Sequence, residues 1–200
     1  MTGGLRDRKK RQTRDALARA AVTLVDARGF DQVTVDDIAA EAGVSARTFF
    51  NYFAGKEEAV VGPDPEAGPR LRALVAAQPA SMSTCEAVKV AFLAEIAGEV
   101  DVDRELWLAR LRIVMAHPEM LVRAFVGSQA AEKFLVEAIA ERTGLATTDT
   151  YPQVLAAAAG AAFRCAVTRW ATANRPLDVL AAEALDLLAV GLADPPRTST

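Results

Sequence analysis

The sequence predicts an all-α protein, and three observations predict it. Ala, Leu, Glu and Arg dominate long stretches in which apolar residues recur at helical spacing. Strand-like alternation of β-branched and polar residues is missing from the chain. Gly and Pro gather at a few sharp places, so the chain is punctuated into helices. With 200 residues there is room for one or two small domains with a substantial core.

Near the N-terminus, basic residues are followed by an apolar helical stripe over 16–27, which stops at Gly29-Phe30. Thr34 then caps a short helix whose Val35, Ile38, Ala39 and Ala42 share one face, with Asp37 near its positive end. Gly43 supplies the left-handed conformation that ends this helix and turns the chain. Ser45 caps a second helix, 46–53, whose buried side is expected to be Phe49, Phe50 and Phe53. Ala39 is small enough to let the pair cross closely.

Another short helix is expected from Lys56 to about Val61. The segment GPDPEAGP (62–69) breaks it with three prolines and two glycines. That break divides the chain into an N-terminal domain, 1–62, and a C-terminal domain, 63–200. Helices are expected in the latter over 69–77, 83–100, 103–116, 119–142, 150–174 and 177–193. Ser83 and Glu86 offer a capping box, Pro118 separates two helices and Gly144 stops another. A polar tail, 194–200, is expected to be disordered. No internal repeat is evident.

Composition narrows the function. No apolar run approaches the 18 or more residues of a membrane span, and no secretion signal follows the charged start. A cytoplasmic protein with no membrane partner is expected. Cys85 and Cys165 match no metal spacing and are expected to be reduced and buried, a redox pair being the alternative. Net charge is −3, which taken alone argues against nucleic acid. The distribution says otherwise. Residues 6–14 (RDRKKRQTR) carry six basic side chains against one acid. Residues 1–60 hold ten Lys or Arg and nine acids, whereas 61–200 hold thirteen against seventeen. A basic tail can be mere solvated chain. Placed just before two capped helices, attraction to phosphates is the better reading.

Two short helices hinged at a glycine form a helix-turn-helix, which sets its second helix in the DNA major groove. Ser45, Ala46, Arg47 and Asn51 point away from the Phe49/Phe53 stripe and can face that groove. Arg47 suits guanine O6 and N7, or else a phosphate. Asn51 suits adenine, or else the DNA backbone.

The stretch TVDDIAAEAGVSARTFFNYFAGK (34–56) resembles the TetR family of bacterial transcriptional regulators. Carrying the resemblance are Thr34, Ile38-Ala39, Ala42-Gly43-Val44-Ser45, Thr48-Phe49-Phe50-Asn51-Tyr52-Phe53 and Lys56-Glu57. It covers about residues 8–62; further on, only the helical pattern fits. The resemblance implies that Thr48, Tyr52 and Lys56 touch phosphates, joined by Thr34 from the first helix. Lys56 starts a helix, where backbone N–H groups add to the attraction. This chain departs from the family in having Phe50 where Tyr is usual, so one hydroxyl contact to phosphate is missing.

A single helix-turn-helix buries little surface, so a homodimer on a palindromic or near-palindromic double-stranded DNA operator is expected. By resemblance the last two long helices form the interface. VLAAAAGAA (154–162) offers small side chains, and Leu177, Leu180, Ala181, Ala184, Leu185, Leu188 and Leu192 repeat along the last helix. As a monomer's residues these would be core.

The middle helices are then the place for a small-molecule effector. Its expected apolar lining is Phe92, Ile96, Trp107, Leu111, Met115, Val167 and Trp170, with Phe125 and Phe163 as further candidates, although residues of this kind are more often plain core. Arg110, Arg112, His117, Arg123, Arg164 and Arg169 lie among apolar neighbours. RLRIVMAHPEMLVRAF and FRCAVTRWA are similar to a TetR subgroup associated with acyl-CoA-like ligands, and arginine binds phosphate or carboxylate bidentately. Alternatively these arginines are solvated or paired with Glu105, Glu119 and Glu132.

Enzyme chemistry is not expected, nor any catalytic residue, cofactor or metal. Di-metal chemistry in a helical bundle needs Glu-x-x-His pairs, and the chain has one histidine. Phosphate loops, nucleophile elbows and Cys/His clusters are absent. His117 precedes Pro118 at a helix boundary, where capping or packing explains it. The expectation is a ligand-responsive DNA-binding regulator, most simply a repressor. An architectural DNA-binder without effector is the alternative, and its discriminating observation is whether small molecules release DNA.

Overall fold

The computed structural model describes residues 3–62, 64–98 and 103–191. Among them are ten α-helices and no strand. The helices are α1 (Gly3–Arg28), α2 (Val35–Glu41), α3 (Ala46–Phe49), α4 (Lys56–Val61) and α5 (Ala67–Ala76), followed by α6 (Thr84–Gly98), α7 (Arg104–Ala116), α8 (Pro118–Thr143), α9 (Thr150–Thr172) and α10 (Leu177–Val190). Two compact units form: one from the described residues of 1–64 and 102–127, the other from those of 65–101 and 128–200.

In the first unit α1 is the spine. Leu17, Ala18, Ala21, Val22, Leu24 and Val25 are buried at helical spacing, against Ile38 and Ala39 of α2, Phe49 of α3, Ala59 and Val60 of α4, and Ile113 of α7. The helix begins at Gly3, so the basic residues ahead of the apolar stripe are part of it. Lys, Arg and Gln are good helix formers, and nothing between Gly4 and Ala16 breaks the run, so the basic segment simply extends the spine. Gly29, at φ 84°, ends it, and its N–H donates to the Val25 carbonyl at 2.8 Å. Two ion pairs join α1 to α7: Arg19 to Asp103 at 2.7 Å and Arg112 to Asp26 at 2.9 Å.

The second unit packs α5, α6, α9 and α10 with the later turns of α8. Leu71, Val75, Val88, Phe92, Leu135, Ile139, Ala156, Ala159 and Leu185 form its core. Ser83 caps α6 as expected, accepting from the Glu86 N–H at 3.2 Å. Arg142 closes the turn before α6 by donating to the carbonyls of Gln78, Pro79 and Met82.

Several expectations need correction. Helix α5 starts at Ala67, inside the expected break, and Gly68 is buried there against Phe134. Cys85 is half-buried and Cys165 exposed, so neither is the buried thiol expected. Burial raises the pKa of the Cys85 thiol and keeps it protonated. Leu180, Ala181, Ala184 and Leu185 belong to the core of the second unit, because α10 turns that face to α9 and α6. They are therefore unavailable to a dimer interface. Residues 99–100, Leu192 and the polar tail lie outside the described residues.

Candidate nucleic-acid interface

The helix-turn-helix is built by caps. Thr34 Oγ1 accepts from the Asp37 N–H at 3.1 Å, while the Asp37 carboxylate accepts from the Thr34 N–H at 2.9 Å. This is a full capping box, and the same carboxylate also accepts a hydrogen bond from the Thr34 hydroxyl. These bonds hold the Asp37 carboxyl below the usual carboxylate range. Gly43, at φ 68°, turns the chain, and the Val44 N–H reaches back to the Ala39 carbonyl at 2.9 Å. Ser45 Oγ then accepts from the Thr48 N–H at 3.2 Å and shares a proton with Thr48 Oγ1 at 2.9 Å. Whichever hydroxyl donates within the pair, the other keeps its O–H for an outside acceptor.

Helix α3 is shorter than expected. It ends at Phe49 with Phe50 as C-cap, and the chain continues in turns to Tyr52. Phe49 and Phe53 are buried, whereas Phe50 is 57% exposed, against the expectation that all three are inside. The reason is angular. Positions 49 and 53 lie one turn apart, and position 50 is rotated about 100° from 49.

Ser45 at the N-cap of α3, Arg47 within it and Asn51 just past its end are exposed, while Ala46 and Thr48 are half-exposed. Tyr52 packs partly against the core, and its carbonyl accepts from Arg14 Nη1 at 2.7 Å. The Arg14 guanidinium also lies 4.2 Å from the centre of the Phe53 ring, tying α1 to the end of the motif. Lys56 has an anchoring part that sequence reasoning missed. Its ammonium donates to the carbonyls of Phe30 and Val33, at 2.8 and 3.0 Å. No sequence motif signals this bond, because its acceptors are backbone atoms of a turn more than twenty residues away. Arg8, Lys9, Lys10 and Arg11 stand exposed on α1 and give this unit its positive segment.

The expected effector residues fall in both units. Trp107, Leu111, Met115 and His117 belong to the first, Phe92, Ile96, Arg164, Val167 and Trp170 to the second. Phe92 and Trp170 are buried, and the Phe92 ring meets Phe163 at 5.2 Å in the second core. Met115 and Arg164 are exposed. His117 packs its ring on Phe30 at 5.0 Å, the packing role expected for it. Two of the arginines are committed elsewhere, Arg112 to Asp26 and Arg169 to Glu183. A cleft of about 280 Å³ in the second unit, lined by Glu132, Lys133, Glu137, Thr147 and Gln153 among others, is polar and holds none of the expected effector residues.

The chain is similar to known proteins. Residues 17–60 match the model described as bacterial regulatory proteins, tetR family, and residues 82–193 the model of the MftR C-terminal domain. The chain is 35% identical to the HTH-type transcriptional regulator TcmR of Streptomyces glaucescens, over 84% of this chain and 76% of that protein. The crystal structure of Thermus thermophilus FadR in complex with lauroyl-CoA is similar in fold. Its TM-score is 0.55 at 22% identity, over 94% of this chain and 98% of that one. The SmeT–triclosan complex gives a TM-score of 0.59 at 17% identity, over 94% of this chain and 99% of that one.

Proposed function

The chain belongs to the TetR family of bacterial regulatory proteins, and is thus a DNA-binding transcriptional regulator rather than an enzyme, and from this premise we propose how it works. It is a cytoplasmic homodimer that sets Ser45, Ala46, Arg47 and Asn51 into successive major grooves of a palindromic operator. Thr34, Thr48, Tyr52 and Lys56 hold the phosphates. The observation that carries this reading is the outer side of α3, where exposed Arg47 and Asn51 stand over a core of Phe49 and Phe53. Residues 1–62 bind DNA, and residues 63–200 hold the effector and the dimer contacts.

The effector is a small apolar or amphipathic molecule, and an anionic acyl-CoA-like amphiphile suits the arginine-bearing sequence. Repression ends when ligand and DNA prefer different states of the dimer. Recognition helices must lie roughly 34–36 Å apart to enter successive grooves. Helix α7 packs on α1 and α4 and is ion-paired to α1, so its displacement would move the DNA-reading helices. Coupling of about 1–3 kcal/mol is typical of such linkage. Liganded and DNA-bound crystals with equal helix separation would refute this mechanism. Calorimetry with a panel of acyl-CoAs tests the ligand class, which is abandoned if none gives saturable heat.

The reading as a whole is tested by selecting bound DNA from a random library at near-physiological salt. An enriched palindrome is expected. Salt-sensitive binding without an enriched motif would leave only a non-specific binder. Selected DNA that no small molecule releases would favour an architectural role.

A further inference from the structure

The C-cap of α3, Phe50, carries a large exposed ring with no polar atom. Phe50 is 57% exposed, between the exposed Arg47 and Asn51 in the same short segment. Its backbone is fixed, since the Phe50 N–H donates to the Ala46 carbonyl at 3.1 Å. Its ring is supported as well. The buried Phe49 meets it edge-on, with centroids 5.5 Å apart and planes at 86°. Such a ring is held out from the body of the unit rather than folded into it.

A phenyl ring cannot hydrogen-bond a phosphate or a base edge. In the major groove its complementary partner is apolar, the C5-methyl group of thymine. Covering the exposed ring with that methyl removes apolar surface of both from water. A ring lying on deoxyribose would also be covered, but with no dependence on sequence. The position beside Arg47 and Asn51, the two side chains suited to base edges, favours the base. Resting on the helix-turn-helix reading above, we propose that Phe50 is a specificity-determining residue that reads one thymine methyl in each operator half-site.

The test uses the full chain and the site it selects from a random library. Each thymine of that site is replaced singly by deoxyuridine, which removes the methyl and leaves pairing intact. Binding of wild type and Phe50→Ala is followed by fluorescence anisotropy. One thymine per half-site should respond, weakening wild-type binding about fourfold, as loss of one buried methyl predicts. Phe50→Ala should bind the two versions of that site equally. The wild-type scan needs no variant, so a folding defect cannot mask the result. If no thymine responds in wild type, or Phe50→Ala responds as wild type does, the assignment falls while sequence-specific binding stands. Failure to select any site overturns the helix-turn-helix reading and the assignment together.

Discussion

Lys56 Nζ lies 2.8 Å from the Phe30 carbonyl oxygen and 4.1 Å from the centre of the same residue's ring. A further bond at 3.0 Å goes to the Val33 carbonyl, so one residue of α4 fixes the turn from which α2 starts. Two of the three ammonium protons are thereby used, and one is left for a phosphate. Lys56→Ala is expected to cost about 1–3 kcal/mol of stability, the scale of hydrogen bonds to a charged group. The same variant should weaken binding to all DNA sequences about equally and reduce the salt slope by roughly one. Urea denaturation and a salt titration of binding check the two effects separately.

Arg47 is exposed on the outer side of α3 and has the donor fork that fits guanine. Arg47→Ala should cost roughly 1–3 kcal/mol of binding and relax preference at one base position. Repeating the library selection with the variant shows which. Uniform weakening with the motif unchanged would place Arg47 on a phosphate.

The capping box makes a pH prediction. Hydrogen bonds from Thr34 hold the Asp37 carboxyl below its ordinary value in the folded state, and the nearby Arg28 acts in the same direction. A depressed folded value means stability that is present above the unfolded value of about 3.9 and lost as pH falls through the folded one. The stability gap between wild type and Asp37→Asn should therefore be steady near neutrality and shrink as pH drops below about 4. Urea midpoints across that range measure it. Thr34→Ala removes the cap itself and should cost about 1 kcal/mol at neutral pH.

Much of this was legible in the sequence because it rests on local chemistry. Thr34, Gly43 and Ser45 specify caps and a turn within a few residues of themselves, and the structure contains each. What was not legible depends on contacts remote in sequence. The carbonyls that Lys56 meets belong to the 3-10 turn Phe30–Gln32 and its C-cap Val33, and the side of α10 that became core was set by α9 and α6. The misjudged burial of Phe50 is different, since adjacent residues of a helix cannot share a face and the sequence already contained the answer.

Gly68 illustrates the remote kind. Inside α5 an alanine normally gains about 0.5–1 kcal/mol over glycine. Here a Cβ would collide with the ring of the half-buried Phe134. Overpacking of this sort costs about 1–3 kcal/mol, so the sign reverses. Gly68→Ala should lower the urea midpoint, and Phe134→Leu in the same chain should recover part of the loss.

Helix α9 separates two classes of alanine that the sequence lists as one run. Ala156 and Ala159 are fully buried against the second core, whereas Ala157 and Ala161 are exposed, in line with the exposed Val154 and Thr168. If that outer stripe is the dimer contact, a carboxylate placed in it repels its symmetry mate and loses its water on association. Ala157→Glu and Ala161→Glu should sediment as monomers with unchanged helical circular dichroism. Their operator binding should fall to that of a single helix-turn-helix. Ala156→Glu and Ala159→Glu should instead unfold the second unit, because a lone charge buried in an apolar core has no partner. Exposed-stripe variants that remain dimeric would move the interface off α9.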